Sequence, residues 1–173
     1  MAIIKPNNNT ISAITALPFG TGITQADQWR VNASTNNTGS NEVTANWERC
    51  DNSFSLIGTG MTESSGVFTF PTTGIYHVIW ETMATSNGGT SLYMGNDIRF
   101  TTNNSSYSNV AATYGNAYTA NAYGGGSSFF MFDVTDTSTH KVKFRFVSYA
   151  AAVFEGNTNA NWQVATFIRL GDT

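Results

Sequence analysis

The sequence predicts an all-β protein built as an antiparallel sandwich or barrel. Charged residues make up only 11 % of the 173 residues, so Asn, Thr, Ser and Gly must supply the polar surface, and these residues favour strands and turns over helices. No window of a dozen residues has the 3.6-residue apolar period of an amphipathic helix. Short β-prone segments instead alternate with turn residues, which is typical of sandwiches and barrels. A chain of this length suits one domain.

Four segments are the clearest strands. Residues 141–146 alternate apolar and cationic side chains with period two, which predicts one face on the core and the other in water. Residues 162–170 alternate less cleanly and are expected to form the last strand. Residues 74–80 and 129–134 are apolar on both faces. Because one face of an antiparallel sandwich sheet normally meets water, their second apolar face needs a cover, and the simplest cover is another copy of the chain.

Turn residues separate the predicted strands. They stand at Asn36–Gly39, Ser64–Gly66, Pro71–Gly74, Asn87–Gly89, Gly124–Gly126 and Glu155–Asn157. The Gly124–Gly126 run lacks the Lys-Ser/Thr pair and the following helix of a phosphate-binding loop, so we interpret it as a hinge in a loop. Residues 103–128, rich in Asn, Ser, Tyr and Gly, are expected to supply a long surface loop around one strand.

Residues 1–22 are predicted to form an extended N-terminal arm ahead of a domain at residues 23–173. The arm combines two short apolar patches with Pro6, Pro18 and a run of Asn, which suits neither a strand nor a helix. Its apolar residues are unusual for a free linker. They are Ile3, Ile4, Ile11, Ile14 and Leu17. We therefore expect the arm to dock on a partner.

Composition argues against several classes of function. A net charge of −3 and an isoelectric point near 5.2 leave no cationic excess to neutralise phosphates, so we expect no nucleic-acid partner. No apolar run approaches the roughly 20 residues of a membrane helix, and the N-terminus lacks the apolar core of a secretory signal, so we expect a soluble protein with no membrane partner. Cys50 is the only cysteine. We expect it to be a small buried residue rather than a nucleophile.

No catalytic, cofactor or metal site is predicted. The sequence lacks the common nucleophile, phosphate and zinc motifs, and among its 11 acidic residues no carboxylate pair of a glycan hydrolase can be argued. For His77, packing at a seam between copies is favoured over a pH-sensitive or metal-binding role. His140 is interpreted as a solvated strand end. For Asp133 and Asp136, turn capping is favoured over a cation site.

Four tyrosines stand among Asn, Ser, Thr and Gly in the second half of the chain. They are Tyr107, Tyr114, Tyr118 and Tyr123. Aromatic anchors among small polar residues are typical of adaptable recognition surfaces. Two interpretations stay open, namely a ligand-binding surface and a glycine-rich loop whose tyrosines pack on the barrel.

One segment carries a family resemblance. Residues 65–78, Ser-Gly-Val-Phe-Thr-Phe-Pro-Thr-Thr-Gly-Ile-Tyr-His-Val, resemble the G-x-F-x-x-P-x-x-G-x-Y-x-F signature of complement-type globular heads in the tumour necrosis factor superfamily, with Val78 in place of the usual Phe. The order of the flanking segments at residues 47–56, 140–147 and 162–170 is similar too. The resemblance implies a ten-stranded antiparallel jelly roll that assembles as a homotrimer. We then expect the trimer interface to include Ile75, His77, Ile79, Phe130 and Phe132.

A second, shorter resemblance points to a function. Residues 3–18 resemble the start of structural proteins from bacteriophages of aquatic bacteria. Together with the low charge and the apolar arm, this resemblance implies a structural virion protein: a trimeric decoration or cement protein on the capsid exterior, whose arm binds the major capsid protein and stabilises the phage head. The alternative is the receptor-binding tip of a tail fibre or spike that recognises a host glycan or protein.

Overall fold

The computed structural model describes residues 22–53 and 56–173. These residues form eleven strands: β1 (Gln25–Val31), β2 (Ala33–Glu42), β3 (Trp47–Arg49), β4 (Thr62–Ser64), β5 (Val67–Thr69), β6 (Gly74–Ser86), β7 (Ser91–Thr101), β8 (Ser108–Ala117), β9 (Tyr123–Val134), β10 (Lys141–Asn157) and β11 (Val164–Gly171). The all-β prediction is confirmed, with eleven strands in the described residues rather than ten. The described part of the chain contains no helix able to span a membrane.

The predicted arm and its anchoring residues fall outside the described part of the chain, which begins at Gly22. The anchoring residues in question are Ile3, Ile4, Ile11, Ile14 and Leu17. The arm therefore stays a prediction from the sequence.

The eleven strands form one antiparallel sheet that folds over into two layers. The front layer has the strand order β3–β1–β11–β6–β9. In the back layer, β10 pairs with β2 and β7, and β7 pairs with β8. The short hairpin β4–β5 joins the start of β10. The layers are linked where the ends of β6 and β10 pair, with Thr85 opposite Val153.

The core between the two layers is mainly aromatic. Strand β6 directs Tyr76, Val78 and Trp80 inward because side chains alternate along a strand, and all three are buried. The ring of Trp80 lies 5.0 Å from that of Phe144 on β10, and its Nε1 donates to the carbonyl oxygen of Arg145 at 3.3 Å. Each fully buried side chain of this size stabilises the fold by about 1.5–3 kcal/mol. The aromatic contacts thus hold β6 against β10.

The signature segment forms the corner through which the chain enters this core. Phe68 lies on the three-residue strand β5, is fully buried, and has its ring 4.9 Å from that of Trp47. Gly74 then begins β6 with a φ of 143°, which an L side chain rarely adopts. Two residues later, the Tyr76 hydroxyl donates to Gln25 Oε1 at 2.7 Å. The corner therefore ties β5 and β6 to the first strand.

Three of the six predicted turns do connect strands. They are Ser64–Gly66, Pro71–Gly74 and Asn87–Gly89. The other three predictions are wrong, because their residues lie within β2, β9 and β10. These are Asn36–Gly39, Gly124–Gly126 and Glu155–Asn157. The long loop expected around one strand at residues 103–128 does surround β8, but it is shorter than predicted because the first half of β9 also lies in this segment.

Asn and Gly have specific structural roles at the strand positions that were wrongly predicted to be turns. At Gly125, where φ is 148°, a Cβ would lie 2.1 Å from the carbonyl oxygen of Thr82, so the glycine allows β9 to approach β6 closely instead of acting as a hinge. In β2, Asn37 Nδ2 donates to the Gly39 carbonyl oxygen at 2.9 Å and to Ser148 Oγ at 3.0 Å. These bonds lie where the β2–β10 register shifts, so turn chemistry here makes a bulge.

Candidate interaction surfaces

The outward side of the front layer is apolar in its middle. The strand register aligns outward side chains in rows across the four strands β1, β11, β6 and β9. One row contains Ala26, Ile168, His77 and Met131, and the next contains Gln28, Thr166, Ile79 and Phe129. We call these eight residues the front outer face. Phe129 is 68 % exposed and Met131 is 51 % exposed, which is unusual in the middle of a strand of a soluble sandwich.

The half of this face formed by β1 and β11 is a groove. Its volume is about 270 Å³, and its lining consists of Ala26, Asp27, Gln28, Thr166 and Ile168. The side-chain amide of Gln28 donates to Thr166 Oγ1 at 3.0 Å, so a partner that covers the groove would not leave this donor unpaired.

The five predicted interface residues lie on both sides of the front layer. Ile75, His77 and Ile79 are half-buried and alternate with the inward residues of β6. They lie outward as expected, and their part in an interface stays a prediction. The ring of His77 is edge-on to that of Phe129 at 6.0 Å. Within residues 22–53 and 56–173, no group of three His, Cys, Asp or Glu residues could hold a metal ion.

The prediction for β9 needs a correction. Phe132 is only 4 % exposed and belongs to the protomer core, where its ring lies 5.6 Å from that of Phe70. Phe130 is also on the inward side, half-buried with its ring 5.3 Å from that of Phe100. The residues of β9 that do point outward are Phe129 and Met131. Because both faces of this strand are apolar, the sequence alone did not distinguish them.

The front outer face ends at an ionic cluster that the sequence reasoning missed. Arg30 follows in the next row, opposite Val164, and its guanidinium is buried. It donates to Glu48 Oε1 at 2.7 Å and to the carboxylate of Asp51. The Arg30 bond, together with one from the Thr158 hydroxyl, holds the pKa of Glu48 below its usual value. The cluster joins β1 to β3, and we interpret it as structural.

Three other chemically interesting residues have structural roles. Cys50 is buried, its Sγ donates to Asn161 Oδ1 at 3.2 Å, and burial raises its thiol pKa. Asp136 Oδ1 accepts from the Ser138 backbone N–H at 2.8 Å, as turn capping predicts. His140 is not a solvated strand end: it is buried, stacked on Phe132 with ring centroids 5.4 Å apart.

The four predicted ligand-surface tyrosines do not form one cluster. Tyr107 precedes β8 and packs under the Lys143 ammonium, 4.4 Å from the ring centroid. Tyr114 lies within β8 and pairs with Gly95 on the neighbouring strand β7. Tyr118 and Tyr123 lie at the turn between β8 and β9 and are the most exposed of the four. The predicted surface is thus divided between the two ends of β8.

Tyr114 instead belongs to a cluster that the sequence reasoning did not find. Its ring centroid lies 5.6 Å from that of Tyr93 on β7, which in turn lies 5.6 Å from that of Tyr149 on β10. The three are 48 %, 41 % and 55 % exposed. We call them the tyrosine platform. They are on the back layer, whereas the front outer face belongs to the other layer.

Comparison with known proteins shows the fold. No family model matches the chain, and no curated protein matches it in sequence. Among solved structures, murine APRIL has a TM-score of 0.57 at 14 % identity, with coverage of 84 % of this chain and 98 % of that one. Eiger TNF from S. frugiperda has a TM-score of 0.61 at 11 % identity, with coverage of 88 % and 96 %. PRD1 vertex protein P5 has a TM-score of 0.50 at 16 % identity, with coverage of 87 % and 99 %. The chain thus has a tumour-necrosis-factor-like jelly-roll fold.

Proposed function

We propose that the protein is a structural component of a phage virion, specifically a homotrimeric decoration or cement protein on the capsid exterior. The observation that carries the proposal is the front outer face, where Phe129 and Met131 stand exposed on a strand whose other side packs in the core. The fold shared with a phage vertex protein supports a place in a virion. The proposed role is to bind and build rather than to catalyse.

In this proposal, three copies cover one another's front outer faces around a threefold axis. A closed ring leaves no copy with an unpaired face. Removing an exposed Phe or Met side chain from water stabilises an assembly by up to about 1.5–3 kcal/mol, and a trimer contains three copies of Phe129 and Met131. A stable interface needs about 800 Å² on each partner, so the half-buried Ile75, His77 and Ile79 also take part.

The trimer attaches to the major capsid protein through the N-terminal arm. The proposed anchors are Ile3, Ile4, Ile11, Ile14 and Leu17. Three arms on one trimer raise the overall affinity by about 10²–10⁴ over that of one arm, so each arm needs only modest affinity. Because the trimer binds the assembled shell and not its dissociated subunits, it stabilises the phage head by mass action.

Native mass spectrometry of the full chain tests the assembly. We expect a species of three times 18.7 kDa at micromolar protomer concentration. A protein that stays monomeric at every concentration measured would rule out the proposed trimer.

Deletion of residues 2–22 tests the attachment separately. We expect the shortened protein to remain a trimer but to lose its binding to capsids assembled from the major capsid protein, measured by co-sedimentation. Ile11→Asn together with Ile14→Asn should weaken binding, whereas Asn8→Ser in the same arm should not. Undiminished capsid binding after the deletion would show that the arm is not the anchor.

The second candidate is a receptor-binding tip of a tail fibre or spike. The exposed tyrosines of the back layer favour it, because they offer a recognition surface that the proposed trimer leaves free. Cryo-electron microscopy of the intact particle separates the two candidates by position: density on the capsid shell supports decoration, and density at the end of a tail fibre or spike supports the tip.

A further inference from the structure

The tyrosine platform is built by three strands that are distant in the sequence. Ser148 pairs with Met94, which sets Tyr149 of β10 beside Tyr93 of β7, and β8 adds Tyr114 on the other side of β7. The two ring separations are 5.6 Å each. The plane of the Tyr93 ring is inclined by 49° to that of Tyr114 and by 68° to that of Tyr149. Tyr93 is thus the middle of a row of three rings that face different directions, each roughly half exposed.

The platform has an apolar base in the back layer. Val147 is buried but lies outside the main core cluster, since Phe146 beside it points into that core. The register places Val147 opposite Gly95, and Gly95 opposite Tyr114. A glycine facing an aromatic residue across a strand pair leaves room for the ring to lie over the sheet. The rings therefore stand on a small apolar base of the back layer rather than on a loop.

Polar residues border the tyrosine platform in the next row of the sheet, where Arg145 pairs with Asp97, and they add no net charge. Arg145 Nε donates to both carboxylate oxygens of Asp97, at 2.8 and 3.0 Å, and Asn109 Nδ2 donates to Asp97 Oδ2 at 3.2 Å. Asp97 is buried, and the Arg145 guanidinium compensates its charge. The platform consequently offers ring faces, hydroxyls and amides, with one neutralised ion pair at its border.

We propose that Tyr93, Tyr114 and Tyr149 form a binding site for a neutral oligosaccharide. Exposed ring faces pack against the C–H faces of sugar rings, and three rings inclined to one another fit a bent or twisted saccharide chain whose successive units face different directions. The ring spacing is comparable to the length of one sugar unit. Sugar hydroxyls need donors and acceptors around these faces, which tyrosine hydroxyls supply and Phe or Met side chains do not.

The chemistry of the platform differs from that of the front outer face. The front outer face combines exposed Phe and Met with half-buried Ile, which suits permanent burial by another protein copy. The platform is tyrosine beside Asn and an ion pair, which suits reversible contact with a hydrated ligand. Because the two sites lie on different layers, this inference does not depend on the proposed trimer or capsid role.

Binding to defined saccharides tests the site. The full chain is applied to an array of bacterial surface polysaccharides, and maltohexaose, mannohexaose and chitohexaose are titrated in solution up to about 10 mM, a range that detects millimolar dissociation constants. We expect at least one saccharide to bind. Tyr93→Ala, at the middle of the row, should weaken that binding about tenfold or more. Tyr93→Phe, which keeps the ring face but loses one hydroxyl, should weaken it less than Tyr93→Ala does.

Tyr118→Ala is the matched control, since Tyr118 is 76 % exposed at the β8–β9 turn outside the platform. It should leave saccharide binding unchanged. Native mass spectrometry and thermal unfolding of each variant show whether assembly and folding are intact; if Tyr93→Ala does not fold, Tyr149→Ala takes its place. Absence of binding to every saccharide overturns the inference, and so does binding that survives in a folded Tyr93→Ala variant or in the Tyr149→Ala variant used in its place. So does capture of a host surface protein with no saccharide bound.

Discussion

Substituting Ala for Phe on each face of β9 tests which face of this strand points out of the protomer. Phe129 and Phe132 lie three positions apart but in opposite environments. Phe132 is buried, with its ring 5.6 Å from that of Phe70 and 5.4 Å from that of His140, whereas Phe129 is mostly exposed. Replacing either with Ala removes the same atoms. We expect Phe132→Ala to destabilise the protomer and Phe129→Ala to weaken only the association of protomers.

The two expected effects differ in kind and can be sized. Truncating a core Phe costs about 3–5 kcal/mol, a large part of the roughly 5–15 kcal/mol that stabilises a typical domain. A Phe side chain can bury about 200 Å², so the 68 % of Phe129 that is exposed offers about 130 Å², or about 3 kcal/mol at about 25 cal/mol/Å². Ala keeps part of this area. In the proposed trimer, a loss of about 2 kcal/mol per protomer sums to about 6 kcal/mol and would raise the trimer dissociation constant by about 10⁴.

Two measurements separate the effects. Urea unfolding over a series of protomer concentrations, followed by tryptophan fluorescence, separates the free energy of protomer unfolding from the free energy of association. Sedimentation equilibrium over the same series reports association directly. Leu92→Ala is the control, because Leu92 is an exposed apolar residue of β7 in the other layer, and it should change neither quantity. If Phe129→Ala lowers protomer stability as much as Phe132→Ala does, or leaves association untouched, the face assigned to Phe129 is wrong.

Two further predictions concern stability. Gly125→Ala should lower the free energy of unfolding by about 1–3 kcal/mol or more, because φ is 148° and the added Cβ would meet the Thr82 carbonyl oxygen. Gly88→Ala is the control, because Gly88 also has a positive φ but lies in open space. It shows the effect of backbone strain alone and should lower the free energy of unfolding, measured in urea, by less. The ionised Glu48 stabilises the fold, since its pKa is lower in the folded protein than in the unfolded chain. This stabilisation is fully present above the unfolded-state pKa near 4.5 and is lost as the pH falls through the folded-state pKa. Glu48→Gln should therefore be less stable at neutral pH and lose less stability on acidification below pH 4.5, and an unchanged slope would contradict this.

Local patterns were sufficient to predict the parts of the fold that rest on local chemistry. Alternation at residues 141–146 marks the start of β10, and the Phe68 to Tyr76 corner is visible because Pro and Gly punctuate it. Non-local pairing decided the rest. Strand β10 continues to Asn157 through Glu155 and Gly156, in spite of their turn chemistry, because β2 pairs with it there. Propensity is a weak guide where a neighbouring strand supplies the hydrogen bonds.

The same limit explains what could be predicted of the candidate sites. The sequence identified β6 and β9 as the strands with two apolar faces, and alternation placed His77 outward correctly. In β9 every candidate was apolar, so only the pairing of His77 with Met131 shows which set points out. The tyrosine platform could not be predicted from the sequence, because only the β7–β10 register brings Tyr93 and Tyr149 together. Neither residue lies in the tyrosine-rich segment.

The two aromatic surfaces also constrain how the protein can work when both are occupied. Covering the front outer face with other copies leaves the back layer on the outside of the assembly, because the layers enclose the core between them. Each trimer would then present three tyrosine platforms, and three weak saccharide contacts on one rigid body bind a repetitive polysaccharide far more tightly than one does. A variant such as Phe129→Ala, which weakens assembly without touching Tyr93, should therefore reduce binding to immobilised polysaccharide while leaving the affinity for a soluble hexasaccharide unchanged. Equal losses for both ligands would mean that the two surfaces are not independent.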